Sequence, residues 1–117
     1  MPRRTEPSPF SSKVGARIRE LRLERNMSLP ALGEASSISK GHLSNIEHGF
    51  AAITIETVDR IARALDIPPL YILAFPGEDE RARIADAVRK LPKGEWKKLR
   101  KEIEGRATPA PAAKKRG

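Results

Sequence analysis

Residues 27–49 read MSLPALGEASSISKGHLSNIEHG, and this stretch decides the fold of the chain. Ser28 and Ser39 each precede a short helical pattern, and serine is a favoured N-cap because its side-chain oxygen accepts a free N–H of the first turn. Residues 36–37 separate the two patterns as a turn. Gly49 follows the second pattern, where a left-handed residue commonly ends a helix. The stretch therefore predicts two short helices joined by a tight turn.

Further helical patterns flank this pair on both sides. A first helix is expected to start from a cap at Ser11 or Ser12, and a fourth helix follows the cap Thr54. A short fifth helix is expected after the prolines 68–69. The apolar residues that these patterns turn towards the core are Val14, Ile18, Leu21, Val58, Ile61, Ala62, Leu65, Leu70 and Leu73.

The two ends of the chain differ from this central segment. Residues 1–11 contain three prolines and predict a disordered N-terminal arm, whereas 105–117 predict a disordered basic tail rich in Pro, Ala and Lys. Residues 76–104 contain two helical patterns separated by a Pro-Lys-Gly break, which predicts a helical hairpin. The predicted fold class is all-α, with a five-helix bundle over 12–75 followed by the C-terminal hairpin.

Composition excludes several classes of protein. The 117 residues suit one small domain, and the longest uncharged stretch, 67–77, is far shorter than the roughly 20 apolar residues of a membrane span. No cysteine is present, which excludes disulfides and thiolate metal sites, and two histidines are too few for most metal sites. No signal-peptide pattern opens the chain, so we expect a cytoplasmic protein without a membrane partner.

Enzyme activity is not expected from this sequence. It offers no nucleophile beside a base, no glycine-rich phosphate loop and no carboxylate pair with a metal partner. We therefore expect no catalytic residues, no metal and no cofactor.

The net charge of +8 points to a polyanionic partner, but its distribution weakens that argument. Residues 105–117 carry four Lys/Arg and no acid, whereas 13–75 carry eight Lys/Arg against seven acids. Half of the excess charge therefore belongs to the tail, and the tail either adds phosphate attraction or only solubilises the chain. The placement of particular residues must decide the partner.

The second short helix has an outward face of unusual composition. Its side chains after the cap are basic or uncharged, and the first acid is Glu47. Carboxylates on the exposed face of a helix that lies against phosphates are unfavourable, because the two negative charges repel each other. The residues of this face are Lys40, Gly41, His42, Ser44 and Asn45.

Residues 27–49, followed by ITIETVDRIARALDIP, resemble the Cro/CI-type (Xre) helix-turn-helix family of bacterial and phage regulators. The resemblance covers roughly 12–75, and its most specific parts are IS-x-x-x-LSNIEHG and T-x-E-T-V-x-R-IARAL. The family implies a five-helix bundle that binds double-stranded DNA, usually as a two-fold dimer on a pseudo-palindrome. The recognition helix would then be 39–48.

The resemblance assigns roles to individual residues. Lysine can donate to guanine and asparagine can pair bidentately with adenine, which suits the base-reading positions of the family. These positions correspond to Lys40, Gly41 and Asn45, with His42 beside them, and the candidate contacts to the DNA backbone are Ser28, Leu29, Ser39, Ser44 and Phe50. Gly41 either approaches a base closely or is only tolerated there, and His42 and Ser44 face base or phosphate.

The chain also departs from the family pattern at three positions. The family commonly has glutamine where Leu29 stands, so only the backbone N–H of Leu29 could bind phosphate. Ser37 replaces the usual turn glycine, and Phe50 replaces a polar or basic residue.

Glu47 would pair with Arg22 as a structural brace rather than contact DNA.

The hairpin has three possible roles. It either contributes to a homodimer or folds back to cover its own bundle, and it could also bind a protein partner. The candidate dimer residues are Val58, Leu65, Leu70, Val88, Trp96 and Leu99.

A sequence-specific regulator is the favoured function, as a repressor, a restriction-modification controller or an antitoxin. The alternatives are a protein-interaction module that kept the fold without specific DNA binding, and an RNA-binding role.

Overall fold

A computed structural model describes residues 6–107, and every regular element in that range is helical. The elements are α1 (Pro9–Glu24), α2 (Leu29–Ser36), α3 (Lys40–Glu47), α4 (Ile55–Ala64), a 3-10 turn (Pro69–Tyr71), α5 (Glu80–Arg89) and α6 (Lys93–Arg106). The predicted all-α class is confirmed. Residues 105–106, predicted to begin the disordered tail, form the end of α6. The remainder of the predicted disorder at 1–5 and 108–117 lies outside the described residues. None of the helices in the described range has the length and apolar character to cross a membrane.

Side-chain caps begin three of the helices as predicted. The side-chain oxygens of Ser28, Ser39 and Thr54 each accept a hydrogen bond from the backbone N–H three residues later, at 3.1 Å in every case. Each bond satisfies one of the orphan donors of a first helical turn. Local sequence therefore determines where α2, α3 and α4 begin.

The start of α1 differs from the prediction. The helix begins at Pro9, within the range predicted as the arm, and its cap is Ser8 rather than Ser11 or Ser12. The Ser8 hydroxyl oxygen accepts from the N–H of Ser11 at 3.1 Å. Proline suits the first helical position, because its fixed φ is helical and the N–H that it lacks has no partner there.

The fifth element is also shorter than predicted. It is one 3-10 turn of three residues, followed by Ile72 as its C-cap. Ile72 is fully buried, whereas Leu70 and Leu73, predicted to face the core, are 56% and 48% exposed. A single turn with about three residues per turn changes which residue points inward.

The bundle core uses residues that were candidates for a dimer surface. Leu65 is fully buried and Val58 is 8% exposed. Both pack within their own bundle, so the prediction that they form a dimer contact is wrong. The buried cluster consists of Val14, Ile18, Leu21, Leu32, Ile38, Leu43, Ile46, Ala51, Val58, Ile61, Ala62, Leu65 and Ile72.

α1 and α3 approach closely at a glycine. A Cβ added to Gly15 would lie 2.2 Å from the carbonyl oxygen of Ile46 and 2.6 Å from that of Glu47. No side chain fits between the two backbones there. The glycine therefore sets how closely α3 lies on α1.

α5 docks on α1 mainly through charged side chains. Arg17 Nη2 donates to Asp86 Oδ1 at 2.7 Å, and the guanidinium of Arg89 donates to both carboxylate oxygens of Glu24 at 2.8 and 2.9 Å. Only Ala82 is buried in α5, and no residue of α6 is buried. The hairpin thus folds back on its own bundle through α5 and leaves α6 largely uncovered.

Asp86 is the centre of this docking network. Its Oδ1 accepts from Arg17 and, at 2.8 Å, from Arg89 Nε. Burial alone would raise the pKa of Asp86, but the hydrogen bonds from the two arginines outweigh it and lower the pKa to about 2. Ionised Asp86 therefore stabilises the docked hairpin.

We predict that Asp86→Asn lowers the free energy of unfolding by about 2 kcal/mol at pH 7. Because the pKa of Asp86 is lower in the folded chain than its ordinary 3.8, this stabilisation is present above about pH 4 and disappears as the pH falls towards 2. Urea denaturation between pH 2 and 7 measures the difference between the two proteins.

Asp59→Asn is the matched control, because Asp59 pairs with Arg63 at 3.0 Å on an exposed surface. It should change stability little at any pH. A difference between wild type and Asp86→Asn that persists unchanged at pH 2 would contradict the role of Asp86.

Candidate nucleic-acid interface

The turn between α2 and α3 depends on one residue in a left-handed conformation. Ser37 has φ 60° and ψ 36°, a region that disfavours residues with a Cβ. The N–H of Ile38 then donates to the carbonyl oxygen of Gly33 at 3.0 Å and closes the end of α2. Ser37 thus occupies the backbone conformation for which the resembling family uses glycine.

Arg60 of α4 holds this turn from the side. Its Nε donates to the carbonyl oxygen of Ser36 at 3.1 Å, and its Nη2 donates to the carbonyl oxygen of Ser37. Carbonyls at the end of a helix lack intrahelical partners, so the guanidinium satisfies two of them. The sequence analysis gave Arg60 no role, because the contact joins residues more than 20 positions apart.

α3 presents one buried and one exposed face. Leu43, Ile46 and Glu47 are buried, whereas Lys40 and Gly41 are exposed and Asn45 is half-buried. A Cβ added at Gly41 meets nothing within 4 Å, so this position is open to an approaching molecule. The side-chain hydrogen bonds of α3 within residues 6–107 leave the Lys40 ammonium and the Asn45 amide available.

The first turns of α2 and α3 also leave backbone N–H groups available. The hydroxyls of Ser28 and Ser39 accept from the third residue of each helix, so the N–H groups of Leu29, Lys40 and Gly41 have no acceptor in the described range. The Leu29 side chain packs against the core. Its backbone N–H, at the positive end of the α2 dipole, is what remains for an anion.

The candidate backbone contact at Phe50 is not supported. The N–H of Phe50 donates to the carbonyl oxygen of Asn45 at 2.9 Å, and the N–H of Gly49 donates to that of Ile46 at 3.1 Å. Gly49 has φ +82°, so the two bonds form a Schellman motif that ends α3. The helix end therefore already uses the Phe50 N–H, which is not available to a phosphate.

His42, Ser44 and His48 complete the outer surface of α3. His42 and Ser44 are half-buried at the edges of this surface, and His48 is exposed. His48 Nδ1 lies 2.7 Å from the carbonyl oxygen of Ser44 and must donate to it, because a carbonyl only accepts. His48 lies seven residues after Gly41 and therefore on the same outer face of α3. This spacing could have placed His48 on that face from the sequence alone.

Arg22 and Glu47 meet in the interior, where they join α1 to α3. Arg22 Nε donates to Glu47 Oε2 at 2.7 Å and Nη2 donates to Oε1 at 3.0 Å, and both side chains are buried. Arg22 Nη1 also donates to the carbonyl oxygen of Met27 at 2.8 Å. These hydrogen bonds with Glu47 raise the pKa of Arg22 against the opposing effect of burial. Glu47 is thus neutralised inside, and the outer face of α3 carries no carboxylate.

We predict that Ser37→Gly raises the free energy of unfolding by about 0.5–1 kcal/mol. Glycine removes the penalty of about 1–2 kcal/mol for a Cβ in the left-handed region, and part of this gain is offset by the larger entropy of glycine in the unfolded chain. Urea denaturation measures the change. Ser44→Gly is the matched control within α3 and should destabilise. A loss of stability in both variants would show that Ser37 is not strained.

We predict that Arg22→Met destabilises the chain by about 3–5 kcal/mol, because Glu47 is left buried without its partner. The double variant Arg22→Met/Glu47→Leu should recover most of this loss, since no unpaired charge remains. Denaturation of both variants measures the two values. If the double variant is as unstable as the single one, the penalty does not come from an uncompensated charge.

A capped helix pair with a braced second helix and an open, carboxylate-free outer face defines the helix-turn-helix class of proteins. The comparison with known families agrees, since residues 18–72 match the model of the Helix-turn-helix family. Residues 18–72 thus match a family model of the Cro/CI (Xre) type, which confirms the resemblance expected from the sequence.

Individual proteins extend this comparison. The chain is 32% identical over 73 residues to the HTH-type transcriptional regulator RamB of Mycobacterium tuberculosis, a match that covers 62% of this chain and 15% of RamB. The crystal structure of the restriction-modification controller protein C.AhdI from Aeromonas hydrophila superposes with a TM-score of 0.52 and 29% identity, over 53% of this chain and 94% of C.AhdI.

A further solved structure shows the controller protein C.Esp1396I bound to a 19 base pair DNA duplex. It superposes with a TM-score of 0.53 and 27% identity, over 56% of this chain and 88% of C.Esp1396I. The family match over residues 18–72 lies within the bundle. In the described chain, no three His, Asp or Glu side chains come together to hold a metal ion.

Proposed function

We propose that this chain is a sequence-specific DNA-binding transcription regulator that inserts α3 into the major groove. One observation carries the proposal: the outer face of α3 has available Lys and Asn side chains and no carboxylate, beside the free N–H groups of two helix N-termini. A phosphate backbone is attracted by such N–H groups, and base edges are read by such side chains. Such a regulator acts at the nucleoid in the cytoplasm.

The contacts fall into two groups. Lys40 and Asn45 read base edges, with Gly41 allowing close approach and His42 at the margin. The backbone contacts come from the N–H of Leu29 and from the hydroxyls of Ser28, Ser39 and Ser44, which position the helix without reading sequence. C.Esp1396I, which shares the fold, was solved with a DNA duplex and supports this proposal.

The regulator is proposed to act as a dimer on an inverted repeat. One helix reads only a few base pairs, and two copies on half-sites about 34 Å apart supply affinity and specificity together. With Val58 and Leu65 committed to the core, the remaining bundle candidate is Leu70, which is 56% exposed at the 3-10 turn. Leu70 is therefore the bundle candidate that a second copy can reach.

Selection of binding sites from random duplexes at physiological salt tests the function. The expected result is an enriched inverted repeat with half-site centres about one helical turn apart. The control is Lys40→Ala/Asn45→Ala, which should fold and lose the enrichment. If folded wild type enriches nothing, the alternative function, a protein-interaction module, replaces this proposal.

We predict that Asn45→Ala weakens binding to the selected duplex by about 1–3 kcal/mol and relaxes the preference at one base pair. Fluorescence anisotropy on the selected duplex and on its single-base variants measures both effects. Lys97→Ala on α6 is the control for truncation of a polar side chain away from α3 and should leave the base preference unchanged. Equal weakening by Asn45→Ala on every duplex would assign Asn45 to the backbone instead.

A further inference from the structure

The hairpin lies on the side of the bundle away from α3. The α1 residues that face α3 are Gly15 and Arg22, and those that bind α5 are Arg17 and Glu24. The two residues of each pair are seven positions apart, which is close to two helical turns, so they share a face of α1. The face toward α5 is shifted by two residues from the face toward α3, which corresponds to about 200° around the helix axis. α1 therefore lies between α3 and α5. As a result, α6 stays accessible while α3 lies in the major groove of DNA.

α5 and α6 enclose an open apolar groove between them, which we call the hairpin groove. Val88, Trp96, Leu99 and Ile103 form its apolar surface, Arg100 and Glu104 form one edge, and its volume is about 320 Å³. Ile103 is 47% exposed, and no side chain of α6 is buried. Nothing within residues 6–107 fills this groove.

The charges around the hairpin groove are unbalanced. α6 carries six Lys/Arg and three Glu. Its single ion pair in the described range joins Arg100 to Glu104 at 3.9 Å, so five cations remain unpaired. In contrast, Asp86 and Arg89 of α5 are already paired with each other and with α1. Of these five, Lys93 and Lys97 precede Arg100 by seven and three residues and so lie along its edge of the groove, whereas Lys98 lies on the opposite face of the helix.

We propose that the hairpin groove binds an amphipathic helix of another protein, with an apolar stripe that enters the groove and acidic residues that flank the stripe. Helix-in-groove binding uses apolar anchors at i, i+3 or i+4, and i+7, and complementary charges steer the encounter. Lys93 and Lys97, along the Arg100 edge, supply the complementary charge. The surface is separate from the DNA-reading face, so one chain can hold DNA and this partner at the same time.

The same observations disfavour other occupants. A second copy of the hairpin would bring an equal positive excess against this one. DNA would match the charge but would leave Leu99, Ile103 and Trp96 without apolar partners. A membrane surface is flat, whereas these side chains line a concave groove between two helices.

A displayed library of helical peptides tests this proposal on the full-length chain. Each peptide has a fixed leucine stripe, and its flanking positions vary among Glu, Lys, Gln and Ala. Enrichment of Glu at the flanks is expected. Trp96 is the only tryptophan of the chain and lies in the groove, so a bound peptide should shift its emission to shorter wavelength. Binding should weaken at high salt.

Two variants test whether the selected peptide binds in the hairpin groove. Ile103→Asp should weaken the selected peptide at least ten-fold, because it adds a carboxylate to the groove. Ile84→Asp is the matched control, because Ile84 is 57% exposed on α5 and lies outside the groove lining. Both variants should retain wild-type affinity for the selected duplex, which separates this proposal from the proposed function and shows that they fold.

Three results would overturn the proposal. The first is the absence of any enriched peptide, or enrichment of Lys at the flanks. The second is a self-association of wild type that Ile103→Asp abolishes, which would assign the groove to a second copy. The third is a Trp96 shift with vesicles of phosphatidylserine and phosphatidylcholine in the absence of peptide binding, which would assign the groove to a membrane.

Discussion

The close contact of α1 with α3 at Gly15 is the constraint on which the rest of the structure depends. The carbonyl oxygens of Ile46 and Glu47 occupy the space that any Cβ at this position would need. At this separation Arg22 reaches Glu47 with two hydrogen bonds of 2.7 and 3.0 Å. The end of α3 is thereby held from inside, and the whole opposite face of the helix is left free for recognition.

Much of the bundle could be predicted from local sequence. Caps at Ser28, Ser39 and Thr54 use hydrogen bonds between residues three positions apart, so a short stretch of sequence contains all that they need. The same holds for Gly49, whose left-handed backbone follows from its place after α3. The outer face of α3 was also predictable, because the helical period alone separates it from the buried face.

Features that depend on distant contacts or on small changes of backbone geometry could not be predicted. The role of Arg60 requires knowing that α4 passes beside the turn at Ser37. A single 3-10 turn buries Ile72 where helical periodicity pointed to Leu70 and Leu73. Periodicity also shows that Leu65 is apolar and inward, but it does not distinguish a core from an interface between copies.

The docking of α5 on α1 through ion pairs has a consequence for the evolution of the chain. Arg17, Asp86, Arg89 and Glu24 hold the hairpin at the edge of the bundle, and of the α5 residues only Ala82 is buried. A different two-helix segment could replace it by matching a few charges, without repacking the interior. Recombination could thus exchange the C-terminal attachment while the DNA-facing bundle remains intact.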